Sequence, residues 1–179
     1  SHSIMANYYK SMTNTIKLLS SKFDFNVYLF CQVYGPTHYE NDFIGIERVI
    51  GPTNGLSNDN IHIVNFQLSP AELKACYGLM DMFIASRLHS GVFSLAMRVP
   101  TLFIGYLYKT AGILESIDLD KYCIDLKDIN EQKIIKRTLE IWEERPVLQK
   151  KINSEMAIIE NQLADFPEDI KRVIKADDD

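Results

Sequence analysis

The sequence predicts an α/β fold built on a doubly wound parallel sheet, with helices at its C-terminal end. Three observations predict it. Strand-length runs of apolar and β-branched residues alternate with segments whose apolar residues recur at helical spacing. Hairpin signals are missing between those runs. Residues 81–109, DMFIASRLHSGVFSLAMRVPTLFIGYLYK, read as strand, helix, strand and loop, the βαβ unit of a parallel sheet.

Taken in order, residues 4–20 carry Ile4, Tyr8, Met12, Ile16 and Leu19 at helical spacing. Asn26 to Tyr34 is rich in β-branched and aromatic residues and reads as a central strand, ended by Gly35-Pro36. The polar loop that follows carries His38. Asp42 is expected to cap a helix through about Ile50, with Phe43, Ile46 and Ile50 inward. Residues 51–60 are dense in turn formers, and Ile61 to Phe66 form the next strand. Ser69-Pro70-x-Glu72 is a helix start, and that helix should reach Leu79 or Met80. Asp81 to Ala85 is a strand. Ser86 is expected to cap a helix whose first turn holds Arg87, Leu88 and His89 and whose inner face is Leu88, Val92, Leu95 and Ala96. Val99-Pro100 stops it, Thr101 to Gly105 is a buried strand, and Tyr106 to Lys109 leave the sheet.

Beyond lie a helix near Ala111–Ile117, a short strand at Tyr122–Asp125 and a helix from about Asn130 to Glu144. Pro146 is expected to open a further helix with Leu148, Ile152, Met156, Ile159 and Leu163 on one face. Pro167 should break it, leaving a short helix to Lys175 and a disordered acidic tail. The expected organisation is one domain over 1–179: an α/β core at 1–129, then a helical segment and tail at 130–179.

Net charge is −5, without a basic tract, which argues against nucleic acid as a partner. Cys31, Cys76 and Cys123 are far apart and lie in apolar elements. They read as reduced, structural thiols of a cytoplasmic protein. No leader is visible, and the apolar runs fall short of the ~20 residues a membrane span needs. No metal spacing such as CxxC or HxxxH occurs, so no metal site is expected. The glycine-rich fingerprints GxGxxG and GxxxxGK[ST] are absent, as is GxSxG. Any ligand must therefore be held by side chains and helix ends.

The best local candidate is Ser86-Arg87-Leu88-His89. A helix N-terminus offers unpaired N–H groups and a partial positive charge. Arg87 adds a planar fork suited to a carboxylate or phosphate, and His89 exchanges a proton near neutral pH. Two cationic side chains at that end are locally unfavourable and are easier to understand if an anion binds. The plain alternative is an ion pair for Arg87 and quiet packing for His89. Lys109 lies past the next strand on the same edge, where it meets the same anion or is simply solvated. Tyr106 and Tyr108 would wall a pocket or pack at its rim. Gln32, Tyr34 and Asn65 end neighbouring strands. His38 and Asp42 are a candidate loop pair, with plain capping the simpler role for Asp42. His62 reads as a core or partner-facing residue, Trp142 as packing, and Lys150-Lys151 as a solvated face compatible with anionic lipid.

Residues 72–122 resemble the polysaccharide pyruvyl transferase family. The resemblance rests on Glu72-Leu73, the run from Asp81 to His89, Ser94-Leu95-Ala96, Val99-Pro100-Thr101, Gly105-Tyr106, Lys109 and Leu119. Weaker similarity spans residues 4–66. The resemblance implies the C-terminal, donor-binding half of a GT-B-like enzyme with two Rossmann-like halves, the N-terminal half lying outside this chain. It implies transfer of pyruvyl from phosphoenolpyruvate to a sugar, or to a lipid-linked oligosaccharide, of a cell-surface polysaccharide precursor. The product is a ketal, phosphate is released, and no cofactor is needed. Arg87 would hold the donor's carboxylate or phosphate and His89 would be the acid–base residue. Ser86, Lys109 and Tyr106 would line the donor site. The expected location is the cytoplasm, with peripheral association at the inner face of its membrane if the acceptor is lipid-linked. Two other readings stay open: the nucleotide-sugar half of a GT-B glycosyltransferase or epimerase, and a non-catalytic Rossmann-like assembly module.

Overall fold

The computed structural model describes residues 2–37, 40–51, 59–105 and 107–176. The elements are α1 (His2–Lys22), β1 (Val27–Phe30), α2 (Asp42–Ile50), β2 (Ile61–Val64), α3 (Pro70–Tyr77), β3 (Phe83–Ala85), α4 (Leu88–Ala96), β4 (Thr101–Gly105), α5 (Leu107–Ser116), β5 (Cys123–Asp125) and α6 (Glu131–Ala176). Each strand pairing is parallel. The fold is α/β with Rossmann-like alternation, as the sequence predicts.

The backbone ladders fall into two sheets, β1–β2 and β3–β4–β5. Side chains tie them together. The Phe30 ring meets Tyr77 edge-on at 5.0 Å and lies 6.2 Å from Phe83. β4 is central in its sheet, and Thr101 to Ile104 are all buried. That is the continuous apolar run expected of a strand covered on both faces.

α1 is pinned at three places. Thr13 Oγ1 donates to the Val49 carbonyl at 2.6 Å, Asn7 Nδ2 to the Ile129 carbonyl at 2.6 Å, and Asn14 Nδ2 to Glu131 Oε2 at 2.6 Å. The helix therefore lies between α2 and the start of α6. α3 begins as expected, with Ser69 and Glu72 in a reciprocal capping box and Pro70 in the first turn.

Several sequence expectations shift. β1 is shorter than Asn26–Tyr34 and only half-buried: Tyr28 is 42% exposed and stacks on His62, its register partner, at 4.6 Å. Asn41, not Asp42, caps α2 through its side chain. The buried residue of α2 is Val49, not Ile46 or Ile50. Each residue turns a helix face by ~100°, so a small error in phase exchanges the inner set.

In α4 the N-cap is Arg87, not Ser86, and the buried face is Ser90, Gly91, Ser94 and Leu95, while Val92 is exposed. Apolar spacing misses this face because its contacts are close and partly polar. Ser94 Oγ shares a 2.7 Å hydrogen bond with Thr101 Oγ1. Gly91 lies so near β4 that a Cβ there would fall 2.0 Å from Phe103 Cε1. After Ala96 the chain turns through Arg98 at φ 66°, and Val99 N–H returns to the Ser94 carbonyl.

α5 starts at Leu107, earlier than Ala111. The largest correction is α6: the two helices expected on either side of Pro146 are one, and Pro167 does not break it. Proline at 146 removes the N–H that would bond the Trp142 carbonyl. Arg145 Nη1 donates to that carbonyl instead at 2.5 Å, its guanidinium 3.6 Å over the Trp142 ring. Leu148, Ile152 and Met156 are buried as predicted, but Leu163 is exposed. Lys151 is tied to the Asp118 carbonyl and carboxylate rather than solvated. No described helix is long and apolar enough to cross a membrane. The tail from 177, the loop residues 52–58, His38 and Tyr106 lie outside the described residues.

Candidate functional site

Parallel strands bring the ends of β3 and β4 to one edge, and helix α4 starts there with its partial positive charge. No side chain caps α4, so among the described residues its first amides have no side-chain acceptor. Arg87 leaves this turn toward the end of β1. Its Nε and Nη2 both donate to Asp42 Oδ1, at 2.9 and 2.7 Å, and Nη2 also donates to the Glu40 carbonyl at 3.0 Å. Asp42 is held in turn by its other oxygen, Oδ2, which accepts from the Gln32 and Val33 amides at 3.0 Å each. The guanidinium is thus anchored along one edge, and its Nη1 has no partner among the described residues. The Arg87 side chain is 40% exposed and that of Asp42 21%.

This ion pair is the plain role that sequence reasoning allowed for Arg87. It is more than a surface contact, because it joins the two sheets at the edge where a ligand would enter. Asp42 is the residue whose role was misread: its carboxylate holds Arg87 and two loop amides and does not cap α2. His38, its suggested partner, lies outside the described residues.

His89 is exposed in the first turn of α4. Ser86 Oγ shares a 2.6 Å hydrogen bond with Tyr8 Oη. Burial pushes the Tyr8 phenol above its usual range, so it keeps its proton. Tyr8 was legible only as one of the apolar positions of α1; nothing local announces a partner seventy-eight residues on. Gln32 Oε1 receives a long 3.5 Å bond from Tyr77 Oη, while Asn65 is exposed. The Tyr34 hydroxyl is buried without a partner among the described residues, and burial also raises its pKa. Cys31, buried beneath Asp42, is pushed up to about 11 by burial first and by that carboxylate second.

So Ser86, Arg87 and His89 come together on one turn. Lys109 belongs to the first turn of α5, which follows the neighbouring strand β4; its side chain and Tyr106 lie outside the described residues. Two open cavities, of about 310 and 340 Å³, lie along α1 rather than at this edge.

The chemistry such an edge offers is anion binding by Arg87 and the α4 amides, with an exchangeable proton at His89. The sequence-family model described as polysaccharide pyruvyl transferase matches residues 5–108. That match takes in Tyr8, Asp42, Ser86, Arg87, His89 and Tyr106, stops one residue before Lys109, and leaves α6 outside. No solved structure matches the chain significantly. With more than half of its residues covered by that family model, the chain belongs to the polysaccharide pyruvyl transferase family, a family of transferases.

Proposed function

We propose that the β3–α4 edge binds phosphoenolpyruvate and that this chain forms the donor-binding part of a GT-B-like enzyme. The pyruvyl group goes to a sugar of a cell-surface polysaccharide precursor. The observation that carries this reading is the held state of Arg87. Asp42 fixes one edge of its guanidinium, Nη1 has no partner among the described residues, and the same turn carries the uncapped start of α4 and the exposed His89.

The chemistry follows from those groups. Ketal formation begins with protonation of the donor's terminal methylene carbon, which a histidine near neutral pH can supply. The resulting oxocarbenium-like carbon takes a sugar hydroxyl, whose proton passes to the imidazole that protonated the donor. Phosphate then leaves with the C–O electron pair, and a second hydroxyl of the same sugar closes the ketal and loses its proton. Fixed positive charge from Arg87, the α4 amides and Lys109 stabilises the donor anion and the departing phosphate. Ser86, held by Tyr8, and Tyr106 complete the donor site. The acceptor, free or lipid-linked, would come mainly from the other half of the enzyme, at the cytoplasmic face of the membrane.

Calorimetry on the chain tests the first step. Phosphoenolpyruvate should bind, and Arg87→Ala should weaken it by about tenfold or more, as loss of a charged hydrogen bond does. Binding of a nucleotide sugar at this edge with no response to phosphoenolpyruvate would defeat the proposal.

A further inference from the structure

The outer face of α1 carries a feature that the donor edge does not use. Lys10 and Lys17 are two turns apart and so share one face of the helix, with Asn14 between them. Arg48, in the last turn of α2, joins them, its guanidinium 5.6 Å from the centre of the Tyr9 ring. These side chains line an open cavity of about 310 Å³ whose walls contain three cations and no carboxylate. Among the described residues none of the three makes an ion pair, whereas seven basic residues elsewhere are each matched to a carboxylate. Three such cations around one hollow repel one another, and Glu131, which accepts from Asn14 at 2.6 Å between the two lysines, offsets this only in part.

Lys10 also borders a second cavity of about 340 Å³, lined further by Asn7, Asn130, Glu131 and Gln132. Asn7 Nδ2 and Glu131 Oε2 are held in the bonds that pin α1, which leaves Asn7 Oδ1, Glu131 Oε1 and the exposed Gln132 amide to meet hydroxyl groups, which both donate and accept hydrogen bonds. A cationic hollow and a hydroxyl-matching hollow therefore adjoin at Lys10.

We propose that this trough binds a carbohydrate carrying a phosphate or diphosphate. The anion sits among Lys10, Lys17 and Arg48, and the sugar hydroxyls lie toward Asn7 and Gln132. The site is separate from the Arg87 edge and stands whatever donor that edge takes.

Calorimetry on the full 179-residue chain tests it, with inorganic pyrophosphate, a soluble nucleotide-diphosphate sugar, and neutral vesicles carrying a glycosyl diphosphate lipid. Pyrophosphate and one of the two glycosyl forms should bind, the better of the two naming the source, and binding should weaken as salt rises. Lys17→Gln should reduce affinity several-fold and Lys17→Gln/Arg48→Gln at least tenfold, while Lys150→Gln, which lines neither hollow, leaves it unchanged. Lys17→Gln alone keeps the Arg48–Tyr9 contact, so a folding defect in the double variant would not hide the result. The proposal falls if pyrophosphate does not bind in 0.1 M salt, if Lys17→Gln/Arg48→Gln binds it as well as the wild type, or if neither glycosyl form binds.

Discussion

Asp42→Asn is the sharpest probe of the site. The carboxylate accepts four hydrogen bonds: two from Arg87 at 2.9 and 2.7 Å on Oδ1, and two from backbone amides at 3.0 Å on Oδ2. Asparagine has one acceptor oxygen and one donor nitrogen. However it turns, a pair of donors faces its NH2 group. Hydrogen bonds to a charged group contribute about 1.5–3 kcal/mol each. The Arg87 side chain is 40% exposed, which pulls its share toward the ~1 kcal/mol or less of a surface pair. The expected loss is therefore about 2–3 kcal/mol, or roughly 4–12 °C in Tm at the ~2–4 °C per kcal/mol of a domain this size. Urea titration of Asp42→Asn, Arg87→Gln and the double variant, followed by circular dichroism, gives the coupling directly. It should be about 1 kcal/mol, and Asp42→Asn should also weaken phosphoenolpyruvate about tenfold although it need not touch the ligand. Additivity within ~0.3–0.5 kcal/mol would refute the anchoring argument.

Four further outcomes are expected. His89→Ala should cut turnover of the complete enzyme by ~100-fold or more while leaving stability within ~0.5 kcal/mol, since the side chain is exposed; equal turnover would remove His89 from the reaction. Gly91→Ala should destabilise by at least about 1–3 kcal/mol in urea, because its methyl would overlap the buried Phe103 ring. Pro146→Ala should stabilise by up to ~3 kcal/mol by restoring the amide to Trp142; a loss would mean that the Arg145 bond already outweighs it. Finally, Cys31 is pushed up to about 11 from an ordinary thiol near 9, so its contribution is complete below pH 9 and disappears as pH rises toward 11. Thermal melts across that window should fall more steeply for the wild type than for Cys31→Ala.

Much of this was legible in the sequence where local signals act alone. The Ser69–Glu72 capping box, the buried run Thr101–Gly105 and the Ser86–His89 turn after a strand all follow from spacing and residue type. Legibility ended where a long-range partner decides. Asp42 looks like a helix cap until Arg87, forty-five residues later, is seen to claim it. Tyr8 looks apolar until Ser86 arrives. The inner face of α4 is small and polar because Gly91 and Ser94 are chosen for closeness to β4, which a search for apolar periodicity passes over. Pro146 reads as a boundary because the sequence does not show that Arg145 can satisfy the freed carbonyl.

The pinning of α1 to Ile129 and Glu131 bears on how the chain is born. Ribosomes add about 5–20 residues per second, so α1 emerges roughly 6–25 s before the partners that hold it against α6. In that interval Asn7 and Asn14 lack the acceptors that hold them at Ile129 and Glu131. Of the helices described, α1 is thus translated before the others yet joined to α6 only after them, and that interval is when a chaperone would find most to hold.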